Sequence, residues 1–246
     1  MPLANVFAPI PRSLPMSMSL LGVKPTLELF PGSEHWSQAH ENIGFVTNRH
    51  NWQNGSAPQY NMCSPKYFGS LRTDVRAGKF SVVHIGTECT TFSTAPGPLY
   101  RTMADPLGKC HGLINASEVV RTKTANATVY GENSLVAFED ADSGGSIASL
   151  EQPLGTRLLA LPKGERIRQR LQDGTLFLFK TSYCRFGKKF RGTRIILTNT
   201  AEHAALQRPC KCKQKHAPIL AFHQNEDNRS KRLPSFSLSA VGKGAT

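Results

Sequence analysis

The sequence predicts an α/β protein with a mostly parallel sheet flanked by helices, and three observations carry that expectation. An apolar, largely β-branched run over Phe80, Val82, Val83 and Ile85 stops at Gly86, as a strand covered on both faces does. Strand-like runs recur with helical or loop segments between them, the pattern of parallel strands joined by crossovers. The 246 residues, 39% hydrophobic and 19% charged, suffice for one sizeable core and fit a soluble globular chain.

The first strand is expected at Thr26–Phe30, with Trp36–Ile43 as the first crossover helix. Phe45–Asn48 and Val82–Gly86 follow as strands, then Ile147–Leu150, Leu176–Ser182 and Thr193–Thr198. A later helix is expected at Pro162–Leu171, where Glu165 is followed at helical spacing by Arg168 and Gln169. The crossover after Cys89 is ill defined, because residues 112–146 are rich in Thr, Asn, Ser and Gly and show little helical periodicity. Residues 1–23 lack a basic start and are broken by prolines, so they read as a disordered lead-in and not as a secretory signal. Residues 225–246 are polar, basic and Ser-rich and read as a disordered tail. One domain is therefore expected over 24–224. There is no internal repeat.

No apolar run approaches a membrane span, so no membrane partner is expected and the setting is intracellular, nuclear in a eukaryote. In that setting the six cysteines read as reduced thiols. The net charge of +13 is unevenly placed. Residues 180–246 hold 14 Lys/Arg against 3 Asp/Glu, whereas residues 1–179 hold 16 against 14. This concentration is the footprint of a polyanion partner; the plainer alternative is a solvated tail.

In open α/β sheets, ligands and chemistry sit beyond the carboxyl ends of the strands. Cys89 falls there, among Thr87, Thr90, Thr91 and Ser93, and is a candidate nucleophile; otherwise it is a small apolar side chain at a strand end. Lys188, Lys189, Arg191 and Arg194, interleaved with Phe186 and Phe190, favour a contact surface over a solvated face. Cys210, Cys212 and His216 lie close enough in sequence to suit zinc. They are only three ligands with no second pair at a recognised separation, so a basic loop with incidental thiols, and no metal, is the expectation.

Thr26-Leu27-Glu28-Leu29-Phe30-Pro31-Gly32-Ser33 is a short strand ending in an acidic residue, an aromatic and a Pro-Gly turn. Together, TLELFPGSEHWS and the later TECTTFS resemble the first and fourth motifs of the DNA cytosine methyltransferases, and of a divergent branch in particular. Further matches follow in the family's order. Asp74-Val75 precedes the Cys89 strand; Glu151-Gln152-Pro153 resembles the Glu-Asn-Pro motif; Cys184-x-Phe186-Gly187, Arg191 and Thr193-Arg194 resemble a late basic motif. The resemblance covers about residues 24–220.

It implies a Rossmann-like class I methyltransferase fold and S-adenosylmethionine-dependent methylation of carbon 5 of cytosine in nucleic acid, DNA foremost. Cys89 would add to carbon 6 of the base, Glu151 would engage ring nitrogen 3, and Arg191 and Arg194 would grip the flipped nucleotide. Glu28, Phe30, Gly32, Ser33, Asp74 and Val75 would line the cofactor pocket, Asp74 at the adenine amino group. Three positions depart from the pattern: Glu34 stands for a turn glycine, Glu88 for the proline before the cysteine, and Asn48-Arg49-His50-Asn51 lacks the usual ribose-binding acid. Glu88 is also expected to raise the Cys89 thiol pKa. These departures set up the alternative, a nucleic-acid-binding descendant without catalysis. A fragment of a mobile-element polyprotein, serving as an interaction module, is the third expectation.

Overall fold

A computed structural model describes residues 22–31, 34–50, 58–93, 100–101, 105–106, 117–187, 192–213 and 216. The expected tails (1–21 of the lead-in and all of 225–246), together with Gly32, Ser33, Lys188, Lys189, Phe190 and Arg191, lie outside these residues.

In chain order the elements are β1 (Thr26–Leu29), α1 (His35–Glu41), β2 (Thr47–His50), α2 (Pro65–Arg76), β3 (Val82–Ile85), α3 (Glu118–Ser143), β4 (Ile147–Pro153), α4 (Glu165–Gln172), β5 (Phe177–Ser182) and β6 (Thr193–Thr198). They form a six-stranded sheet in the order β2-β1-β3-β4-β6-β5. Its first four strands are parallel, and β6 runs antiparallel to both β4 and β5. This is the Rossmann-like α/β class expected, a mostly parallel sheet flanked by helices. The reversed strand matters for the site. Because β6 runs backwards, its amino end lies at the carboxyl end of β4, with Arg194 opposite Pro153.

Strand β1 is buried throughout, and Val83, Ile85, Ala148, Leu150 and Leu197 extend its core across the sheet. Element boundaries shift from the sequence reading, most by one to three residues, and two shifts concern the strands near the site. β2 starts two residues later than expected, and β4 continues to Pro153, so Glu151 projects from a strand and not from the loop after it.

The largest correction concerns residues 112–146, where α3 spans 26 residues. Its buried positions include Thr124, Ala127, Gly131, Ser134, Leu135, Phe138 and Ala141, a three-to-four-residue spacing written in small side chains. Small residues let the helix lie close to its neighbours: a Cβ at Gly131 would stand 2.6 Å from Phe92 Cζ and 2.8 Å from Leu158 Cδ1. Hydrophobic periodicity is a weak signal there, since the buried large apolar residues Tyr130, Leu135 and Phe138 are interleaved with buried Thr124, Gly131, Ser134 and Asp140. Ser117 caps the helix by accepting a hydrogen bond from the Val120 amide. Helix α2, absent from the sequence reading, begins with Ser64 as cap and Pro65 in its first turn. Buried Asp140 fastens the two helices, accepting from Arg72 Nε and Arg76 Nε at 2.6 Å each. Among the described residues, no helix is long and apolar enough to cross a membrane.

Candidate active site

The carboxyl ends of β1, β3 and β4 meet the amino end of β6 around a cavity of about 340 Å³. Gly86 makes the approach possible: its amide donates to Leu29 O, and a Cβ there would stand 3.0 Å from Phe30 O. Beyond it the Cys89 loop is held from several directions. Gln152 Nε2 donates to Thr87 O at 2.9 Å, and the Phe92 and Ser93 amides donate to Cys89 O. Arg101, 1% exposed, grips the far side of the loop, donating to Thr91 O, Thr91 Oγ1, Thr124 O, Thr128 Oγ1 and Pro106 O. Its guanidinium also lies 4.0 Å from the Phe92 ring centroid. One arginine thereby ties the loop to α3.

Cys89, Glu151 and Arg194, expected from separate motifs to share one site, line this one cavity. Glu151 Oε1 accepts the Tyr183 hydroxyl at 2.9 Å and stands 3.1 Å from Arg194 Nε, which itself donates to Tyr183 Oη at 3.0 Å. Burial pushes the Cys89 thiol pKa up; Arg194 opposes it, and Glu88 and Glu151 reinforce it. The expected influence of Glu88 therefore has the right sign, but burial is the larger cause. Tyr183 was missed in the sequence reading, although it directly follows the end of β5.

Of the expected cofactor residues, Glu28 and Phe30 line this same cavity. Glu28 is 4% exposed and accepts from the Ser37 amide at 3.1 Å and from the Ser37 hydroxyl, so it closes the start of α1. Burial raises its pKa against those hydrogen bonds. Asp74 and Val75 are not brought to the cleft: Asp74 pairs with Lys79 at the turn feeding the amino end of β3, and Val75 is a core residue. Phe30, by contrast, borders both the 340 Å³ cavity and a second of about 760 Å³, lined also by Glu88, Thr90, Lys123, Asn126 and Tyr130. That volume lies within the ~300–1,000 Å³ typical of small-molecule sites. Glu88 Oε1 accepts from the Thr90 amide, whereas its buried Oε2 has no hydrogen-bond partner among the described residues. A cationic or hydrogen-bond-donating ligand group would satisfy it, so the larger cavity fits a cofactor bearing an amine or sulfonium.

The β1–α1 turn explains two departures at once. Phe30 and Glu34 have φ of 59° and 57°, the left-handed region that ordinary side chains avoid. Glu34 thus occupies a glycine-type backbone position. Its carboxylate lies 3.5 Å from Arg49 Nε, on the strand end where an acid was expected.

A second cluster lies beside the cavity. The ligand atoms of Cys184, Cys210, Cys212 and His216 are all within 4.8 Å of one another. Cys184 is the member the sequence reading left out, because it belongs to the 3-10 turn Tyr183–Phe186, far along the chain from the other three.

No family model matches this sequence, and no curated protein does either. Among solved structures, the Dnmt2 methyltransferase of S. pombe is similar at 14% identity and a TM-score of 0.39, covering 77% of this chain and 51% of that one. The Entamoeba histolytica methyltransferase EhMeth is similar at 11% identity and a TM-score of 0.39, covering 79% of this chain and 56% of that one. The chain spans about half the length of these structures. Likeness at this distance does not bear on chemistry.

Proposed function

We propose that this protein transfers a methyl group from S-adenosylmethionine to carbon 5 of cytosine in nucleic acid, DNA foremost, through a covalent adduct on Cys89. The observation supporting it is that Cys89, Glu151 and Arg194, drawn from a loop and two strands, line one cavity at the carboxyl edge of the parallel sheet.

In this reading the Cys89 thiolate forms a bond to carbon 6, and the ring's electron pair moves towards carbon 5 and nitrogen 3. Glu151 would carry a proton to nitrogen 3, neutralising that charge, and take it back when the ring is restored, while Tyr183 and Arg194 hold its Oε1 in place. Arg194 also lowers the cost of the thiolate, against the burial that raises it. Phe30 and Glu88 would hold the cofactor, whose electrophilic methyl group would pass to carbon 5 as its bond to the sulfonium sulfur breaks and the neutral thioether leaves. Loss of the carbon 5 proton to solvent and departure of the thiolate then restore the ring. Arg194, with Arg191, would hold the flipped nucleotide.

The alternative, binding of nucleic acid without catalysis, draws on Glu34 in its glycine-type conformation and on the raised Cys89 pKa. One experiment separates the two. With S-adenosylmethionine present, DNA carrying 5-fluorocytosine should trap a denaturation-resistant adduct on the wild-type protein and none on Cys89→Ser. Saturable cofactor binding with no adduct would refute the cytosine chemistry. Retained DNA affinity with no saturable cofactor binding would establish the non-catalytic alternative.

A further inference from the structure

The thiol cluster beyond β5 is independent of the methyl-transfer reading. We propose that Cys184, Cys210, Cys212 and His216 form a closed Cys₃His site for one zinc ion, which fastens segment 207–216 to the end of β5.

The geometry is that of a tetrahedral site. Zinc takes sulfur at about 2.3 Å and imidazole nitrogen at about 2.0–2.1 Å, so a tetrahedron has S···N edges of about 3.6 Å and S···S edges of about 3.8 Å. Cys210 Sγ and His216 Nε2 are 3.5 Å apart, and all four ligand atoms fall within 4.8 Å. Such a shell is filled by protein, as in structural sites; three thiolates and an imidazole suit zinc better than a hard cation. It is also the single such cluster found among the described residues.

Two separate pieces of chain must meet to build it. Cys184 comes from the turn after β5; Cys210 and Cys212 come from residues 207–213, which have no regular secondary structure, and His216 follows further along the chain. That segment is laid along β5 by a few hydrogen bonds: the Ser182 amide donates to Arg208 O at 3.0 Å, and the Cys210 amide donates to Ser182 Oγ at 3.1 Å. Incidental thiols on a basic loop give no reason for four ligand atoms to converge from positions 32 residues apart in the chain. A metal clip does. Binding releases the three thiol protons to solvent, and His216 joins through neutral Nε2. The ion would hold exposed Arg208, Lys211 and Lys213 next to Tyr183, and hence at the side of the cavity containing Arg194.

The test uses the full chain purified without chelator and then offered zinc under reducing conditions. Elemental analysis should find one zinc per chain, unchanged in Cys63→Ala and lost in Cys212→Ser and Cys184→Ser. His216→Cys should retain it, since a Cys₄ shell is equally tetrahedral. If a serine variant fails to fold, the wild type decides. Cobalt should give intense thiolate charge-transfer and tetrahedral d–d bands, and three thiols should become alkylatable only after chelation. Trace zinc after reconstitution, undiminished zinc in folded Cys212→Ser, or an octahedral cobalt spectrum would overturn the proposal.

Discussion

Arg49 Nε lies 3.5 Å from the Glu34 carboxylate, and its Nη2 stands 2.5 Å from Glu41. The glutamate that replaces a turn glycine and the arginine that stands where an acid was expected are thus one linked exchange. Relative to the expected pattern, a carboxylate stands at the turn after β1 and a cation at the end of β2, and the two form an ion pair. The charge that Glu34 brings towards the cofactor turn is countered locally.

Reversing the Arg49 half alone should therefore be worse than reversing both. Arg49→Glu alone sets three carboxylates together and should cost about 1 kcal/mol, since exposed ion pairs and like-charge contacts are worth little more. Glu34→Gly alone should relieve left-handed strain of order 1 kcal/mol. The double variant should recover wild-type urea stability or better and bind S-adenosylmethionine more tightly than either single variant. Strict additivity in a double-mutant cycle would show that the two positions do not communicate.

The Cys89 thiol should respond to its neighbours with opposite signs. Burial sets its raised pKa, which Arg194 lowers and Glu88 and Glu151 raise. Glu88→Gln should move the inflection of iodoacetamide labelling to lower pH, and Arg194→Gln should move it to higher pH. A shift of about one unit corresponds to about 1.4 kcal/mol of differential interaction. Shifts of the same sign in both variants would mean that altered burial, and not charge, governs the thiol.

Much of the fold was legible because strands announce themselves locally. Val82, Val83 and Ile85 are a run that no helix explains better, and Gly86 marks its end. Cys89, Glu151 and Arg194 were found as separate motif members, but their meeting depends on β6 running antiparallel beside β4, which no local pattern encodes. Helix α3 escaped notice because its buried face mixes Tyr130, Leu135 and Phe138 with Ala, Gly, Ser, Thr and buried Asp140, which blurs the hydrophobic period. Arg101 was invisible for another reason. A lone arginine reads as surface, and only the folded chain gathers Thr91, Thr124, Thr128 and Pro106 around it. Cys184 likewise becomes a partner of Cys210 through the packing of segment 207–210 on β5.

That buried arginine should be hard to replace even by another cation. Arg101→Lys keeps the charge but cannot supply a planar fork to partners on both the loop and α3. Acceptors left unpaired at 1% exposure should cost about 2–4 kcal/mol in urea unfolding. Because the same side chain fixes Thr91 and Phe92, Cys89 should alkylate faster in the variant under conditions where it remains folded. Equal stability with unchanged alkylation would mean that the loop is held without Arg101.

Binding to nucleic acid should follow phosphate electrostatics, whatever the catalytic outcome. Arg185, Arg208, Lys211 and Lys213 are exposed around the turn after β5 and the segment packed on it, and Arg194 lies in the neighbouring cavity. Log affinity should fall linearly with log salt, each neutralised phosphate adding about 0.9 to the slope on duplex DNA. Replacing the four exposed cations with Ser should therefore reduce the slope by at most about 3.6 and weaken all DNA sequences alike. Arg194→Gln should lower the slope by about one unit or less, yet cost more affinity than any one exposed cation does, because it also releases Glu151 and Tyr183. Fluorescence anisotropy on a labelled duplex across a salt series measures both quantities. An unchanged slope in the four-site variant would show that this basic surface faces solvent and not the phosphate backbone.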